Sequence, residues 1–518
     1  MKKFFSLALV AMMLVAMLAA CGGGDGSSSG TGGGTGGSSS SGSTSAGGSD
    51  SQPEETFEHA ELVVSYVMFA PEPADLQLVQ DAINEITERD LNLSITLKGH
   101  NVAAYGEQIR LQLIAQEQVD VFITGNMVIF DLFSNQVMNG QLLALDEYMD
   151  KYGQGIKEVM GDYASVGKMN GKIYGVPQNR DLAVARSFVF MADVADRNGI
   201  KPEDITNYEE LEAALAIIKE NEPDMYGVHP GDVPAPTVNG LGFVDALDNS
   251  FGVLDDVFSG STTVVNLFES QKYLDNVKLA KKWADAGYQY PDADVSDASP
   301  YELMGAGRVF GFLSSYKPGI ATQASQRITG NPKTYVSVLS DAWTYSEKVT
   351  NFMWSISAHT KDPVQAMRFM NYMYTSEEYM NLIGWGIEGT HYERVEGTEH
   401  TIRQISDTYQ TGTTWIFGNE MLCYVAEGDP DNLREEMNTF NQGAVASPAT
   451  GFIFNPENVA NEVAACTVIY NEVNRSIGCG LVDDVDAAAA EISQRLYDAG
   501  LQKIIDEKQA QLDAYIAA

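Results

Sequence analysis

Four consecutive polar side chains are the strongest sign of a binding function in this sequence. Gln178, Asn179, Arg180 and Asp181 follow directly after a predicted strand that ends at Pro177. Buried polar groups lose their hydrogen bonds to water, so four together are costly unless a ligand or the solvent uses them. Arg180 and Asp181 could instead pair with each other on the surface. The side chains at this position predict recognition by hydrogen bonding.

Patterns typical of catalysis, nucleotide binding or metal binding do not fit their surroundings. Residues 26–30 match the serine-hydrolase elbow but lack the strand and helix that it needs. The glycines of 305–311 precede a strand, the reverse of a dinucleotide fingerprint. Residues 292–303 lack the glycine and glutamate of a calcium loop, no P-loop pattern occurs, and the histidines are scattered. We expect no catalytic residue, no cofactor and no metal.

The N-terminus predicts export and a lipid anchor. Lys2 and Lys3 precede an apolar run over 4–20, which is typical of a secretory signal. Residues 18–21, Leu-Ala-Ala-Cys, resemble the lipobox of bacterial lipoproteins, in which the cysteine thiol accepts a diacylglycerol. We expect a signal peptide at 1–20, lipidation at Cys21 and a flexible Gly- and Ser-rich tether over 21–56. The alternative is an ordinary signal peptide with a chance cysteine.

Charge and length narrow the class of protein further. The 518 residues include 32 basic and 71 acidic ones, a net charge of −39, which excludes nucleic-acid binding as a main role. Strongly anionic ligands are disfavoured, although one local arginine could override the mean charge. The length after the tether predicts two or more lobes.

Beyond Cys21 there are Cys423, Cys466 and Cys479. Cys466 with Cys479 is the more plausible disulfide, but their spacing leaves the pairing open.

Apolar patterns predict an α/β fold. A strand at 61–69 is followed by a helix at 74–89, whose apolar side includes Leu78, Ile83 and Ile86. A strand, a helix and a strand follow, an order typical of a parallel sheet. Further predicted α/β segments follow and the chain ends in helices, which predicts more than one passage between lobes. The further predicted elements are a hairpin at 171–177, a strand at 188–191, helices at 207–219 and 272–286, a Ser299-capped helix, helices from 363 and 376, and a helical tail from 457.

Two sets of short stretches carry a family resemblance. The first set comprises the lipobox, 63–69, 120–125, 172–177, 283–288, 304–312 and 358–366, and the second comprises 385–392, 418–419, 451–452, 499–501 and 508–513. In order along the chain, the first set resembles family 1 extracellular solute-binding proteins of ABC importers, and the second resembles their LipO-type lipoprotein subgroup. The resemblance implies a two-lobed periplasmic-binding-protein-like α/β fold with hinge crossovers and a helical C-terminal region. It places lobe 1 at 57–180 plus 348–395 and lobe 2 at 181–347 plus 396–518.

The resemblance also implies a ligand held between the lobes, which we expect to be a carbohydrate, an oligosaccharide. Sugar C–H faces stack on aromatic rings and sugar hydroxyls need fixed donors and acceptors. We therefore selected aromatic, amide and charged residues that end or follow predicted strands, or lie in the LipO-like stretches. To these we added Trp354, within the strand before the return helix, and Trp415, in a loop expected near the second lobe. The candidates are Tyr66, Phe69, Asn126, Gln178, Asn179, Arg180, Asp181, Tyr316, Trp354, Trp385, Glu388, Tyr392, Trp415 and Asn419.

Each candidate has a structural alternative. Tyr66 and Phe69 could simply be buried, Asn126 could only cap a helix, and a tryptophan such as Trp354 is more often a core residue.

The implied partners are ABC permease subunits and, through them, an ATPase. We expect a monomer that touches the membrane only through its lipid, on the extracellular face of the cytoplasmic membrane.

Three other functions stay open. A peptide- or amino-acid-binding importer component would need a charged pair for the ligand termini, and Arg180 with Glu388 could serve. A surface glycoside-active enzyme would need two carboxylates, which the 71 acidic residues could supply, although no motif favours one. A structural adhesin fits the α/β order poorly.

Overall fold

The computed structural model describes residues 56–127, 129–130, 133–230, 243–296 and 298–517. The signal, Cys21 and most of the tether lie outside these residues. Residues 57–518 belong to one compact unit.

Fifteen strands are assigned within the described ranges, and they build two larger and two smaller sheets. The strands are β1 (Ala60–Met68), β2 (Leu93–Asn101), β3 (Val121–Thr124), β4 (Gly167–Met169), β5 (Lys172–Pro177), β6 (Ala185–Met191), β7 (Tyr226–His229), β8 (Val309–Tyr316), β9 (Thr334–Val338), β10 (Trp343–Thr344), β11 (Met353–Ile356), β12 (Tyr392–Arg394), β13 (Thr401–Gln404), β14 (Val425–Ala426) and β15 (Val445–Ala446).

Seventeen α-helices are assigned in the same part of the chain. They are α1 (Leu76–Leu91), α2 (Tyr105–Ile114), α3 (Phe133–Met138), α4 (Asp146–Tyr152), α5 (Gln154–Met160), α6 (Ala192–Asn198), α7 (Tyr208–Asn221), α8 (Gln271–Asp285), α9 (Pro300–Gly305), α10 (Ile320–Arg327), α11 (Ser346–Thr350), α12 (Pro363–Thr375), α13 (Glu377–Trp385), α14 (Leu433–Gln442), α15 (Ala460–Gly478), α16 (Val485–Asp498) and α17 (Leu501–Ile516).

The first sheet has six strands in the order β2-β1-β3-β11-β5-β4. β1 pairs in parallel with both β2 and β3, as the alternation of strands and helices predicts. β11 returns from later in the chain and pairs antiparallel with β3 and β5, which makes the sheet mixed. Its core contains Val67, Ile83, Phe122 and Trp354, all almost fully buried.

The second sheet has four strands in the order β7-β8-β6-β9. Phe188, Phe190, Leu215, Trp283 and Phe310 form the core beneath one of its faces. A further core joins residues 246–277 to the C-terminal helices α15, α16 and α17. The expected two-lobed α/β fold with a helical C-terminal region is confirmed.

Two crossing segments connect the sheets. The first crossing, residues 178–184, leads from β5 to β6, and the second crossing, residues 339–352, leads from β9 back to β11. The two segments pair with each other, because the backbone N–H groups of Val184 and Trp343 each donate to the other residue's carbonyl at 2.8 Å. These paired crossings are the hinge strands that the resemblance implied.

The packing differs from the sequence expectations at two places. Residues 409–423 contribute Tyr409, Ile416 and Cys423 to the core of the first sheet, so the lobe boundary expected at residue 395 does not follow the packing. Leu78 is 46% exposed. The buried stripe of α1 contains Val79, Ile83 and Ile86, and the side chain of Leu78 points about 100° away from that of its neighbour Val79.

The disulfide favoured from the sequence does not form. Cys423, Cys466 and Cys479 are all free and buried. Cys466 lies within α15 and Cys479 directly follows that helix. Thirteen residues of helix span about 20 Å, far more than the distance that a disulfide can bridge.

Candidate ligand-binding site

An aromatic surface lies where β1 ends. Pro71 and Pro73 follow this strand, and proline cannot donate a hydrogen bond to a sheet, so β1 stops at Met68 and Phe69 emerges. The Phe69 ring is 44% exposed and lies 5.6 Å from the ring of Trp415 and 6.4 Å from that of Phe352. We call Phe69, Phe352 and Trp415 the aromatic shelf.

The shelf is held from below by buried aromatic residues. The Phe352 and Trp415 rings meet edge-on at 4.9 Å, and Phe352 packs against Phe130 at 5.2 Å. Trp354 is fully buried, and its indole N–H donates to the Ile416 carbonyl at 2.8 Å, which fixes the residue beside Trp415. Trp354 therefore supports the shelf from the core and has no surface of its own to offer.

The end of β3 presses against the second crossing. A Cβ atom on Gly125 would lie only 2.0 Å from the Asn351 carbonyl oxygen, so a side chain at position 125 would push Asn351 and Phe352 away. Asn126, a predicted contact residue, follows directly and is half-buried. Gly125 thus permits the close approach that places Phe352 in the shelf.

The predicted polar cluster occupies the first crossing beside this shelf. Gln178 is fully buried, and neither its Oε1 nor its Nε2 has a hydrogen-bond partner among the described residues. Asn179 donates through Nδ2 to the Asn419 Oδ1 at 2.9 Å, and Asn419 donates to the Tyr374 carbonyl at 3.0 Å. The amides of Asn179 and Asn419 therefore hold the crossing to residues 418–420, and the buried Gln178 amide takes no part in this contact.

Arg180 joins the cluster to the shelf. Its guanidinium carbon lies 5.2 Å from the Trp415 ring centre, within the range of a cation–π contact, and 5.9 Å from that of Phe352. Its Nη1 donates to Asp181 at 2.7 Å, and both side chains keep only about a tenth of their surface exposed, 12% and 11%. The pairing considered in the sequence analysis thus exists, but inside the hinge and not on the surface.

Asp181 gathers three cations from different parts of the fold. Lys348 of α11 donates to it at 2.9 Å, and Lys317, which follows β8 of the second sheet, lies at 3.4 Å. Burial alone would raise the pKa of Asp181, but Lys348, Lys317 and then Arg180 hold that pKa well below its usual range. The Asp181 carboxylate is therefore ionised at neutral pH and connects both crossings to the second sheet.

Tyr316 enters the same region from the second sheet. It ends β8 next to Lys317, and its ring meets that of Phe440 edge-on at 5.4 Å. Burial, followed by the Glu436 carboxylate, raises the pKa of Tyr316. Its hydroxyl thus remains protonated at neutral pH and can donate a hydrogen bond.

Other candidates lie elsewhere. Tyr66 is buried in the first core with its ring 5.3 Å from that of Phe417. Trp385 and Tyr392 surround Tyr424: the Trp385 indole donates to the Tyr424 carbonyl at 3.1 Å, and the Tyr392 ring lies 6.1 Å from the Tyr424 ring. Glu388 is exposed beside β12. The structure brings together Phe69, Trp415 and residues 178–181, whereas Trp385, Glu388 and Tyr392 form a separate group.

Sequence reasoning missed Phe352, Lys317, Lys348 and Asn441. The Asn441 Oδ1 accepts hydrogen bonds from the backbone N–H groups of Leu182 and Ala183 at 2.9 and 3.1 Å, and its Nδ2 donates to the Arg180 carbonyl at 2.6 Å. Lys348 and Asp181 are 167 residues apart in the chain. No local pattern signals such a pair, because only the return of the chain to the first sheet brings the two together.

Metal binding and membrane spanning find no support in the described ranges. Across them, no group of three or more His, Cys, Asp and Glu side chains is arranged to hold a metal ion. In the same ranges, no helix is both long enough and apolar enough to cross a membrane.

Comparison with known protein families identifies the family of this chain. Residues 71–380, more than half of the 518-residue chain, match the family model described as bacterial extracellular solute-binding protein. The chain belongs to this family. Residues 448–517 match a second model, described as a domain of unknown function, DUF3502.

Individual relatives of this solute-binding protein are similar over most of its length. A protein of Streptococcus pneumoniae named carbohydrate ABC transporter substrate-binding protein is 26% identical over 463 residues, which cover 88% of this chain and 91% of that protein.

Two crystal structures of an N-glycan transport solute binding protein (NgtS) from Streptococcus pneumoniae share the fold. One has a TM-score of 0.76 at 24% identity and covers 88% of this chain and 99% of NgtS. The other, in complex with Man5GlcNAc, has a TM-score of 0.62 at 25% identity and covers 88% and 98%.

Proposed function

We propose that this chain is a lipid-anchored receptor on the extracellular face of the cytoplasmic membrane. It captures an oligosaccharide between its two lobes and delivers it to the permease subunits of an ABC importer. The proposal includes no catalytic step. Membership of the extracellular solute-binding family supports the receptor role, and the names of the similar proteins support a carbohydrate ligand.

The aromatic shelf is the observation that carries the choice of a sugar. An exposed Phe69 ring beside a half-buried Trp415 offers an apolar surface for the C–H face of a pyranose. The Arg180 guanidinium lies over the rings of Trp415 and Phe352 and can donate to sugar hydroxyls beside this surface. Rings combined with neutral or cationic donors suit a polyol better than they suit the two charged ends of a free amino acid.

The hinge explains how capture closes the protein. Asp181 and Arg180 of the first crossing already contact Lys317 of the second sheet and Trp415 beside the first core. A ligand that touches both sides stabilises the closed arrangement by its extra contacts there. We expect closure to be driven by such contacts, with the paired crossings at Val184 and Trp343 as the pivot.

The test is binding of Man5GlcNAc to the mature chain, measured by isothermal titration calorimetry and by thermal shift, next to a peptide panel. The recovered glycan is then weighed by mass spectrometry. Intact glycan and a raised melting temperature support a receptor, because a ligand that binds only the folded state stabilises it. Cleaved glycan would contradict the receptor role, and binding of peptides alone would contradict the sugar.

The variant pair Trp415→Ala and Trp385→Ala tests the location of the site. Both indoles are half-buried, but only Trp415 belongs to the shelf. We expect Trp415→Ala to weaken glycan binding about tenfold or more, equivalent to about 1.4 kcal/mol, and Trp385→Ala to leave it nearly unchanged. Equal losses in both variants, or a loss in Trp385→Ala alone, would place the site elsewhere.

A further inference from the structure

A buried ammonium group lies at the centre of the C-terminal core. Lys508 of α17 is fully buried, and its Nζ donates to the carbonyls of Ala246, Asn249 and Gly252 at 3.0, 2.9 and 2.8 Å. It also contacts the Asn249 Oδ1 at 2.9 Å. A lysine is rarely buried unless it is paired, so this cage of oxygens accounts for its position. We call residues 245–252 the cage loop.

The backbone of the cage loop is unusual in a way that requires such support. Leu247 and Asp248 have φ values of +52° and +85°, in the left-handed region that residues other than glycine seldom adopt. The lysine contacts stand on both sides of this pair, at Ala246 and Asn249. Strained backbone persists only where its surroundings hold it. Here the Lys508 ammonium holds it together with the Asp245 carboxylate, which accepts from the Leu247 N–H at 3.2 Å.

The cage loop in turn holds the start of α11. Its first residue, Asp245, is fully buried and accepts hydrogen bonds from the backbone N–H and the hydroxyl of Ser346 at 3.0 and 2.5 Å. Ser346 is the first residue of α11, and Lys348 follows two positions later on this five-residue helix. Any shift of the cage loop is therefore passed to Lys348.

α11 then fixes the arginine of the candidate site. The Lys348 ammonium donates to the Asp181 carboxylate at 2.9 Å, and the Lys348 carbonyl accepts from the Arg180 Nη2 at 3.3 Å. Asp181 holds the other guanidinium nitrogen at 2.7 Å. Through these bonds the position of α11 decides where the Arg180 guanidinium lies over Trp415.

We propose that Lys508 is a positioning residue for the ligand-binding site, acting through the cage loop, α11 and Arg180. The inference rests on the proposed function for its effect on affinity, although the chain of contacts does not. Because Lys508 has no exposed surface, it cannot touch a ligand and must act through other residues. The C-terminal region of unknown function, residues 448–517, thereby gains a role in ligand capture.

The test compares Lys508→Met with Lys503→Met. Both lysines are on α17, but Lys503 is 71% exposed and forms only a surface ion pair with Glu462 at 2.7 Å. Methionine keeps the length of the side chain and a high helix propensity, and removes the charge. Hydrogen–deuterium exchange is measured on the mature protein without ligand, and the affinity for Man5GlcNAc is measured by calorimetry.

We expect Lys508→Met to speed exchange about tenfold in 245–252, 346–350 and 180–184 while β1 to β3 keep the wild-type rates. We expect its affinity for Man5GlcNAc to fall about tenfold and Lys503→Met to match the wild type in both measurements. Faster exchange in the cage loop alone, with unchanged rates at 346–350 and 180–184, would overturn the proposal. Faster exchange throughout the chain would overturn it as well, since that indicates general destabilisation.

A second variant keeps the test decisive if Lys508→Met does not fold. Ser346→Ala removes the hydroxyl bond between the cage loop and α11 and leaves the backbone N–H bond to Asp245 in place. It should speed exchange at 346–350 and 180–184 and weaken glycan binding, and normal rates at 180–184 would contradict the proposal. If the wild type binds no glycan, the proposed function fails, but the exchange measurements still decide whether Lys508 controls Arg180.

Discussion

At the scale of single residues, the hinge depends on side chains that satisfy backbone groups. Residues 178–184 leave one sheet for another, so their N–H and C=O groups cannot all pair within a sheet. Asn441 serves three of them: the N–H groups of Leu182 and Ala183 and the carbonyl of Arg180. An amide is suited to this because it both accepts and donates.

Replacing Asn441 by alanine should therefore destabilise the protein. The change leaves buried backbone groups of the first crossing without partners, and we expect a loss of roughly 2 to 4 kcal/mol of unfolding free energy. Thermal unfolding of the ligand-free protein measures it. Asn438→Ala is the matched control, because Asn438 is on the same helix and exposed, and it should change stability little. Similar melting temperatures for both variants would contradict this role of Asn441.

At the scale of elements, the short helix α11 carries two adjacent ionisable side chains that face different surroundings. Lys348 faces Asp181, whereas its neighbour Glu347 faces the buried charges of Asp245, Asp248 and Lys508. Burial, followed by repulsion from Asp245 and then Asp248, raises the pKa of Glu347 to about 8, and Lys508 opposes this rise. Glu347 is therefore predominantly protonated in the folded protein below neutral pH.

This raised pKa predicts a dependence of stability on pH. The unfolded chain releases the Glu347 proton near the ordinary pKa of 4.5, whereas the folded chain holds it to about pH 8. The folded state thus binds the extra proton between these values, and its stability falls as the pH rises from 5 to 7, by at most about 1.4 kcal/mol per pH unit from this group.

Glu347→Gln should remove this contribution, which denaturant unfolding at pH 5, 6 and 7 can detect. Glu435→Gln, a change at an exposed position on α14, should retain the wild-type slope. A wild-type slope in Glu347→Gln would show that Glu347 is ionised throughout this range.

Elements were largely predictable from sequence, and the exceptions have a common cause. The periodic stretches that gave β1, α7, α8 and the capped α9 depend on neighbours in sequence, and Ser299 and Glu302 form the capping box that their spacing implies. The order of strands in the first sheet was not predictable, because β11 joins it after a detour of more than a hundred residues.

The candidate site was predictable only in part for the same reason. Residues 178–181 and Phe69 were chosen because they end or follow a predicted strand, and Trp415 because it lies in a loop expected near the second lobe. Phe352, Lys317 and Lys348 have ordinary local sequences and gain their significance from contacts across the fold. Trp354, chosen as a contact residue, is a buried support whose partner Ile416 is 62 residues away.

At the scale of the whole molecule, function depends on where the receptor is held. An importer component works only near its permease, and the sequence offers Cys21 as an attachment point ahead of a Gly- and Ser-rich tether. Cys423 and Cys466 are buried in hydrophobic cores, and Cys479 is buried as well, so all three are unsuited to lipid attachment. Under the proposed function, a single lipid on Cys21 would leave both lobes free to move on ligand binding.

Cys21→Ala should therefore release the protein from the membrane without altering the receptor. In cells fed a radiolabelled fatty acid, we expect the wild type to carry label and to enter the detergent phase of Triton X-114, and the variant to do neither. Cys423→Ala, a substitution at a buried cysteine, should keep the label. The affinity of Cys21→Ala for Man5GlcNAc should equal that of the wild type, since the shelf and hinge lie within 57–518. Label that persists in Cys21→Ala would mean that the attachment site is another residue.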